Sequence, residues 1–194
     1  MKQKFNISDL PSAELLRKEL RRESYRKKFA NAMKSTFFTL VVVAAVAVLV
    51  STIWMPVLQI YGSSMAPTLN EGEIVIAVKG SSFATGDLVS FYIGNKLLVK
   101  RYIAGPGQWV EIDEAGNVFV NSKLLDEPYI TDKDLGDCNI EFPYQVPDNR
   151  IFCLGDHRAT SLDSRNTAVG CIAQEQVVGK IVFCIWPFSA FGGV

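Results

Sequence analysis

Asp87-Leu88-Val89-Ser90-Phe91-Tyr92-Ile93-Gly94-Asn95-Lys96-Leu97-Leu98-Val99-Lys100-Arg101-Tyr102-Ile103 reads as two β-branched and aromatic runs joined by a short turn. Such residues favour strands because their side chains pack well on a pleated, half-buried surface, and Gly94-Asn95-Lys96 can turn the chain between them. The same pattern recurs on both sides, at 73–79, 109–112, 118–121, 151–154 and 177–186, with Asp113-Glu114-Ala115-Gly116-Asn117 as a further turn. Many short strands without a second long helical pattern predict an all-β domain of several short antiparallel sheets. Residues 126–150, rich in breakers and acids, read as an exposed excursion from that core, and no internal repeat is present.

Upstream the character changes. The chain has 194 residues, 48% of them apolar, and no net charge, room for one domain of this kind plus one hydrophobic span. Neutrality conceals an asymmetry. Ten cations (Lys2, Lys4, Arg17, Lys18, Arg21, Arg22, Arg26, Lys27, Lys28, Lys34) and four anions (Asp9, Glu14, Glu19, Glu23) give residues 1–34 an excess of six positive charges, so the remainder carries six negative ones. Between them, Thr36 to Met55 contains no charge. About 20 residues at ~1.5 Å each cover a ~30 Å hydrocarbon core, so this run can span a bilayer, with Trp54 as an interfacial anchor and Pro56 as a stop. The leader is too long, and a small-x-small site too clearly missing, for a cleaved signal peptide, and a core helix of so small a domain would not be apolar all round. The expected organisation is a basic segment at 1–35, a transmembrane anchor at 36–55 and a β-rich domain at 56–194. The basic segment reads as a helix from Ser12 to Lys34, opened by Pro11 and Ser12, that faces anionic lipid rather than nucleic acid. By the positive-inside rule the N-terminus lies in the cytoplasm and the β-domain on the outer face of the plasma membrane.

Three stretches carry candidate chemistry. Gly62-Ser63-Ser64-Met65-Ala66-Pro67-Thr68-Leu69 follows a short strand predicted at Val57 to Tyr61, so a serine here is both held and exposed; taken alone the octet is equally a plain turn. In the second, Lys100 and Arg101 are adjacent on a strand and point to opposite faces, both flanked by apolar residues, so at least one cation meets apolar surroundings. Bringing a lysine from ~10.4 to ~7–8, where it can act as a base, corresponds to about 3–4.5 kcal/mol, a large part of a small domain's stability. The alternative is a lysine that reaches solvent and an arginine in a surface pair. The third stretch is Gly155-Asp156-His157-Arg158-Ala159-Thr160-Ser161-Leu162-Asp163-Ser164-Arg165, which is either an exposed polar loop or a supporting network with Asp163 paired to Arg165.

Together these stretches, with Gly86-Asp87-Leu88-Val89 and Gly105-Pro106-Gly107, resemble the bacterial type I signal peptidases, membrane-anchored peptidases with a serine and lysine dyad. The resemblance runs from the anchor to near the C-terminus. It implies an endopeptidase that removes signal peptides from secretory preproteins through an acyl-enzyme, with a signal-peptidase-like β catalytic domain and no cofactor or metal. It further implies Ser64 as nucleophile, Lys100 as general base, Ser161 as the serine that orients the amine, and Asp163, Arg165 and Arg101 as support. An oxyanion donor is implied at the Ser64 N–H; the position two residues earlier, a serine in some members, is Gly62 here. The loop departs from the family's pattern at His157, Ala159 and Thr160. The resemblance also implies that substrate binds as an extended strand, and Leu58, Ile60 and Met65, near Ser64 in sequence, are candidates for shallow pockets or for ordinary core.

His157 is the sole histidine, so a Ser-His-Asp triad would have to use it. Cys138, Cys153, Cys171 and Cys184 lack C-x-x-C spacing, and with one histidine they do not suggest zinc; Cys153 and Cys184 fall in apolar strands and read as buried thiols. Phe188 and Phe191 are candidates for lipid contact. Two other function classes fit the chain: a serine-lysine peptidase with another target, and a catalytically silent, membrane-tethered β-domain that binds a partner.

Overall fold

The computed structural model describes residues 12–194; Pro11, Lys2, Lys4 and Asp9, invoked above, lie outside them. Contacts divide the chain into two units, before and after residue 51.

The first unit is helical. A single helix, α1, runs Ala13–Trp54 with no buried residue. The sequence suggested a leader helix followed by an anchor, but the two are continuous, since Lys34-Ser35-Thr36 contains no Gly or Pro and the Thr39 hydroxyl donates back to the Ser35 carbonyl at 2.9 Å. Its apolar half is the one helix among the described residues long and apolar enough to cross a membrane. Pro56, one residue past the helix end, cannot donate, and its carbonyl accepts from Ala77 N at 3.0 Å.

The second unit is the expected antiparallel β-domain. Its strands are β1 Val57–Gln59, β2 Ile74–Val78, β3 Leu88–Ile93, β4 Lys96–Ala104, β5 Trp109–Ile112, β6 Val118–Val120, β7 Lys123–Leu124, β8 Tyr144–Gln145, β9 Arg150–Leu154, β10 Ile172–Ala173, β11 Val177–Trp186 and β12 Gly192–Gly193. The larger sheet has the order β1-β2-β11-β3-β4-β9-β10, with β12 on β11, and the smaller has the order β7-β6-β5-β8. In the central hairpin Ile93 opposes Lys96, leaving Gly94-Asn95 as a two-residue loop in which Gly94 has φ +57°.

Both faces of the larger sheet are covered, so its central strands alternate between two apolar clusters rather than between core and solvent. Leu88 joins Ile60, Met65, Leu69, Val75, Ala77, Ile181 and Cys184, whereas Val89 and Phe91 join Ile151, Cys153 and Ile172. A third cluster, with Ile103, Val110, Val118, Phe152 and Leu154, seats the smaller sheet against β4 and β9. Each fully buried Leu, Ile, Val, Phe or Met contributes about 1.5–3 kcal/mol, so these clusters set the positions of the loops at the ends of β1, β4 and β9.

Residues 126–150 are largely exposed, as their composition suggested, yet they also reach the core. Val146 is buried in the third cluster with Leu135, Ile140, Phe142 and Tyr144 packed against it, and Glu127 is buried in an ion pair. The prolines and every acid but Glu127 occupy the outer side, and from 136 to 146 alternate residues turn inward.

Candidate active site

Ser64 lies five residues beyond the end of β1. Ile60 continues the ladder with β2 through its N–H to the Glu73 carbonyl at 2.8 Å, and then Gly62, at φ +78°, turns the chain away. The loop closes with Ala66 N to the Ser63 carbonyl at 3.0 Å and Leu69 N to the Met65 carbonyl at 2.9 Å. Met65 and Leu69 bury their side chains in the core, which leaves Ser64 half-buried on the other side of the turn.

Lys100 reaches this serine from β4, where it opposes Val89. Its Nζ donates to Ser64 Oγ at 2.6 Å. Lys100 is only 3% exposed, and burial lowers its pKa from 10.5 to about 8; Asp163 opposes that shift, Arg165 adds to it, and Asp156 and Cys153 oppose it more weakly. An amine in that range is neutral in part near pH 8, and at 2.6 Å it can exchange a proton with a hydroxyl.

The loop after β9 frames the pair. His157 N donates to the Ser64 carbonyl at 3.1 Å, which fixes the Ser64 backbone. Asp163 and Arg165 form a wholly buried ion pair at 2.8 Å, Asp163 also accepts from Gly155 N at 3.0 Å, and Arg165 donates to the Leu135 carbonyl at 2.7 Å. Ser161 is buried, and its Oγ is without a hydrogen-bond partner among the described residues. Gly155 explains how it fits: a Cβ there would lie 2.1 Å from Ser161 Oγ and 2.6 Å from the Ser64 carbonyl oxygen.

Arg101 is also buried, on the opposite side of β4. Its Nε donates to Asp156 Oδ1 at 2.8 Å and its Nη2 to Asp156 Oδ2 at 2.5 Å, while Thr68 Oγ1 donates to the same Oδ2 at 2.5 Å. The sequence made at least one of the two cations buried; both are, one by desolvation and one by a bidentate partner. Sequence reasoning missed Thr68, Asp156, Glu127, Tyr129 and Arg158. Asp156 and Arg158 stood in the quoted loop, but their partners lie 88 and 31 residues away, a separation that no local pattern encodes.

The His157 imidazole takes no part in this cluster. Its ring is exposed and shares a hydrogen bond with Thr160 Oγ1 at 2.8 Å. Of the candidate substrate contacts, Ile60 and Met65 line a shallow depression of about 40 Å³ beside Ser64, together with Gly62, Leu98 and Val99. Leu58 packs half-buried on the core instead. A larger cavity of about 460 Å³, lined in part by Phe83, Tyr102 and Gln174, includes neither Ser64 nor Lys100, so chemistry rather than size selects the site. All four cysteines are free thiols, and among the described residues no group of three His, Cys, Asp or Glu could hold a metal ion.

A hydroxyl in contact with a buried, low-pKa amine, on a β-domain that follows one long apolar helix, is the arrangement of a membrane-anchored serine peptidase. A family model described as signal peptidase, peptidase S26, matches residues 33–186. Signal peptidase IB of Staphylococcus aureus (strain N315) is 37% identical over 153 residues, covering 68% of this chain and 78% of the relative. Signal peptidase I of Bacillus amyloliquefaciens is 33% identical over 162 residues, covering 77% and 83%. A solved signal peptidase I from Enterococcus faecalis V583 matches 52% of this chain and 97% of its own, at 26% identity and a TM-score of 0.42. The chain belongs to the signal peptidase family, peptidase S26, and is a serine endopeptidase.

Proposed function

We propose that this chain removes signal peptides from secretory preproteins, with Ser64 as nucleophile and Lys100 as general base. The observation that carries this reading is the 2.6 Å contact between Lys100 Nζ and Ser64 Oγ, made by an amine whose pKa burial brings to about 8. In the neutral amine the lone pair takes the Ser64 proton as Oγ attacks the scissile carbonyl. The ammonium so formed protonates the leaving nitrogen, and the resulting ester is hydrolysed by water that the regenerated neutral lysine activates. The Ser64 N–H is the oxyanion donor assigned here, and Gly62 offers no side chain for a second.

Ser161 serves to orient the Lys100 amine. Its role is supported by its burial, its unpartnered hydroxyl and its place against Gly155 beside the Ser64 backbone. Asp163 and Arg165 hold that loop, and Arg101 holds β4 to Asp156. Substrate lies extended across Ile60, Met65 and Val99; a depression of about 40 Å³ accepts a methyl and excludes a large side chain, so small residues precede the cleaved bond. The basic half of α1 stays in the cytoplasm, residues 36–55 span the membrane, and residues 56–194 work on the outer face.

The test is cleavage of a purified preprotein in detergent by wild type, Ser64→Ala, Lys100→Ala and His157→Ala. The dyad requires loss in the first two variants and activity in the third. Retention in Lys100→Ala with loss in His157→Ala would sink it. Protease protection in sealed vesicles tests the topology, which fails if the β-domain is shielded where the N-terminus is digested.

A further inference from the structure

Three buried arginines around the Ser64–Lys100 contact reach the same stretch of chain. Arg158 donates to Glu127 through both Nη atoms, Arg165 donates to the carbonyls of Asp134 and Leu135, and the Arg101 guanidinium lies 3.7 Å from the centroid of the Tyr129 ring. The approach is closest at Gly136, where a Cβ would stand 2.4 Å from the Arg158 carbonyl oxygen and 2.6 Å from Arg165 Nη1. Residues 127–136 are thus a strap laid over the supporting loop. The Tyr129 hydroxyl donates to Glu127 Oε1 at 3.1 Å, the same oxygen that receives Arg158 Nη2.

Arg101 is the node. Its edges are all engaged: Nε and Nη2 on Asp156, Nη2 also on Thr68 at 3.1 Å, and Nη1 on the Gly86 carbonyl at 2.6 Å. Thr68 belongs to the loop of Ser64, and Arg101 is the residue after Lys100. One guanidinium therefore ties the strand of the base to the loop of the nucleophile, and hydrogen bonds constrain it only within its plane. Resistance to movement out of that plane comes from the ring on its face.

We infer that Tyr129 is a positioning residue for the reaction: its ring holds the Arg101 guanidinium flat in the fork formed by Asp156, Thr68 and Gly86, and through that fork fixes Lys100 against Ser64. The inference rests on the dyad reading. Lys100 is faced by Ser64 from its loop, by Cys153 from β9, and by Asp156, Asp163 and Arg165 from the loop that follows. If Arg101 tilts, Asp156 loses its partner and water reaches the amine. Both changes favour the protonated lysine, so the acid limb of the pH–rate profile moves to higher pH.

The experiment compares wild type with Tyr129→Phe and Tyr129→Leu in the full-length enzyme in detergent, reading kcat, KM and the pH dependence of kcat/KM on one preprotein. Phe keeps the π face, whereas Leu keeps apolar cover without it. Tyr129→Phe should match wild type. Tyr129→Leu should lose about tenfold in kcat at pH 7 with KM within about twofold, and its acid limb should rise by about half a pH unit or more. Val118→Ala, a cavity in the smaller sheet, controls for destabilisation and should leave the limb in place. Three results would each overturn the role of Tyr129: an unchanged rate and limb in Tyr129→Leu, an equal loss in Tyr129→Phe, or an equal displacement in Val118→Ala. Ser64→Ala and Lys100→Ala run alongside, and activity in either would strike at the dyad itself rather than at Tyr129 alone.

Discussion

Replacing Lys100 by methionine should abolish cleavage and stabilise the fold. Lys100 is buried, and its pKa falls from 10.5 to about 8, chiefly through desolvation. A lowered pKa on a basic group means that between about 8 and 10.5 the unfolded chain holds a proton that the folded chain has lost. Stability therefore rises with pH across that window, by about 3 kcal/mol at ~1.36 kcal/mol per unit, and below pH 8 the fold bears the whole cost of the buried charge. Methionine has similar length and no charge, so it removes the cost while filling the space. The expected result at pH 7 is a gain of about 1–3 kcal/mol, after allowance for the lost Ser64 contact, that shrinks as pH rises toward 10.5. Urea unfolding of both proteins in the same detergent, followed by tryptophan fluorescence at pH 7, 8, 9 and 10, measures the difference; other titrating groups cancel between the two. A stability difference that is flat with pH, or a less stable methionine variant at pH 7, would refute the claim that the amine is held against its preferred charge state.

Wild-type kcat/KM should climb about tenfold per pH unit below the lysine's pKa of about 8 and then level off; a profile already flat from pH 6 contradicts a lysine base. Gly155→Ala forces a methyl against Ser161 Oγ and the Ser64 carbonyl, so kcat should fall by about a hundredfold or more, at a stability cost of about 1–3 kcal/mol seen in thermal unfolding. Asp163→Ala leaves Arg165 as a buried charge with no counter-ion and should destabilise by about 3–5 kcal/mol, with Asp163→Ala/Arg165→Met recovering part of the loss. In thiol labelling with peptide mapping, Cys138 should react in the folded protein, whereas buried Cys153, Cys171 and Cys184 should react only once it unfolds.

Strand composition and turn chemistry made eight of the twelve strands legible, to within two residues at their ends, while the two-residue strands β7, β8, β10 and β12 left no local signal. Local pattern placed the hairpin, the halt at Pro56 and the apolar span, because each depends on residues a few positions apart. The two cations of β4 were legible as a problem, since they point to opposite faces amid apolar neighbours, but their different solutions were not. Lys100 is answered by Ser64 at 36 residues' distance and Arg101 by Asp156 at 55. The strap hid its inward residues for a related reason: Glu127, Tyr129 and Ile130 follow no period, and the alternation that follows from 136 to 146 runs through Gly136, Asp137, Asn139 and Pro143, which disfavour strands. Its buried carboxylate, Glu127, looks in the sequence like any surface acid, and only the matching guanidinium of Arg158 makes its burial tolerable.

At ~1.5 Å per residue the 42 residues of α1 extend about 63 Å, twice what the hydrocarbon core needs. The polar half has no buried face, and its visible cross-links are Glu19–Arg22 and Glu23–Lys27 at 3.9 Å, pairs worth only a few tenths of a kcal/mol. An isolated peptide of that length would be marginally helical in water, because the first turn is costly to nucleate. With the apolar half in a bilayer, as proposed above, continuity would remove that barrier: the turns at Thr36 to Thr39 would serve as a ready seed from which residues 13–34 only have to propagate. The bilayer would then template a rod of order well outside itself, and a pair of glycines inserted at Ser35 would uncouple the two halves and let the outer one melt.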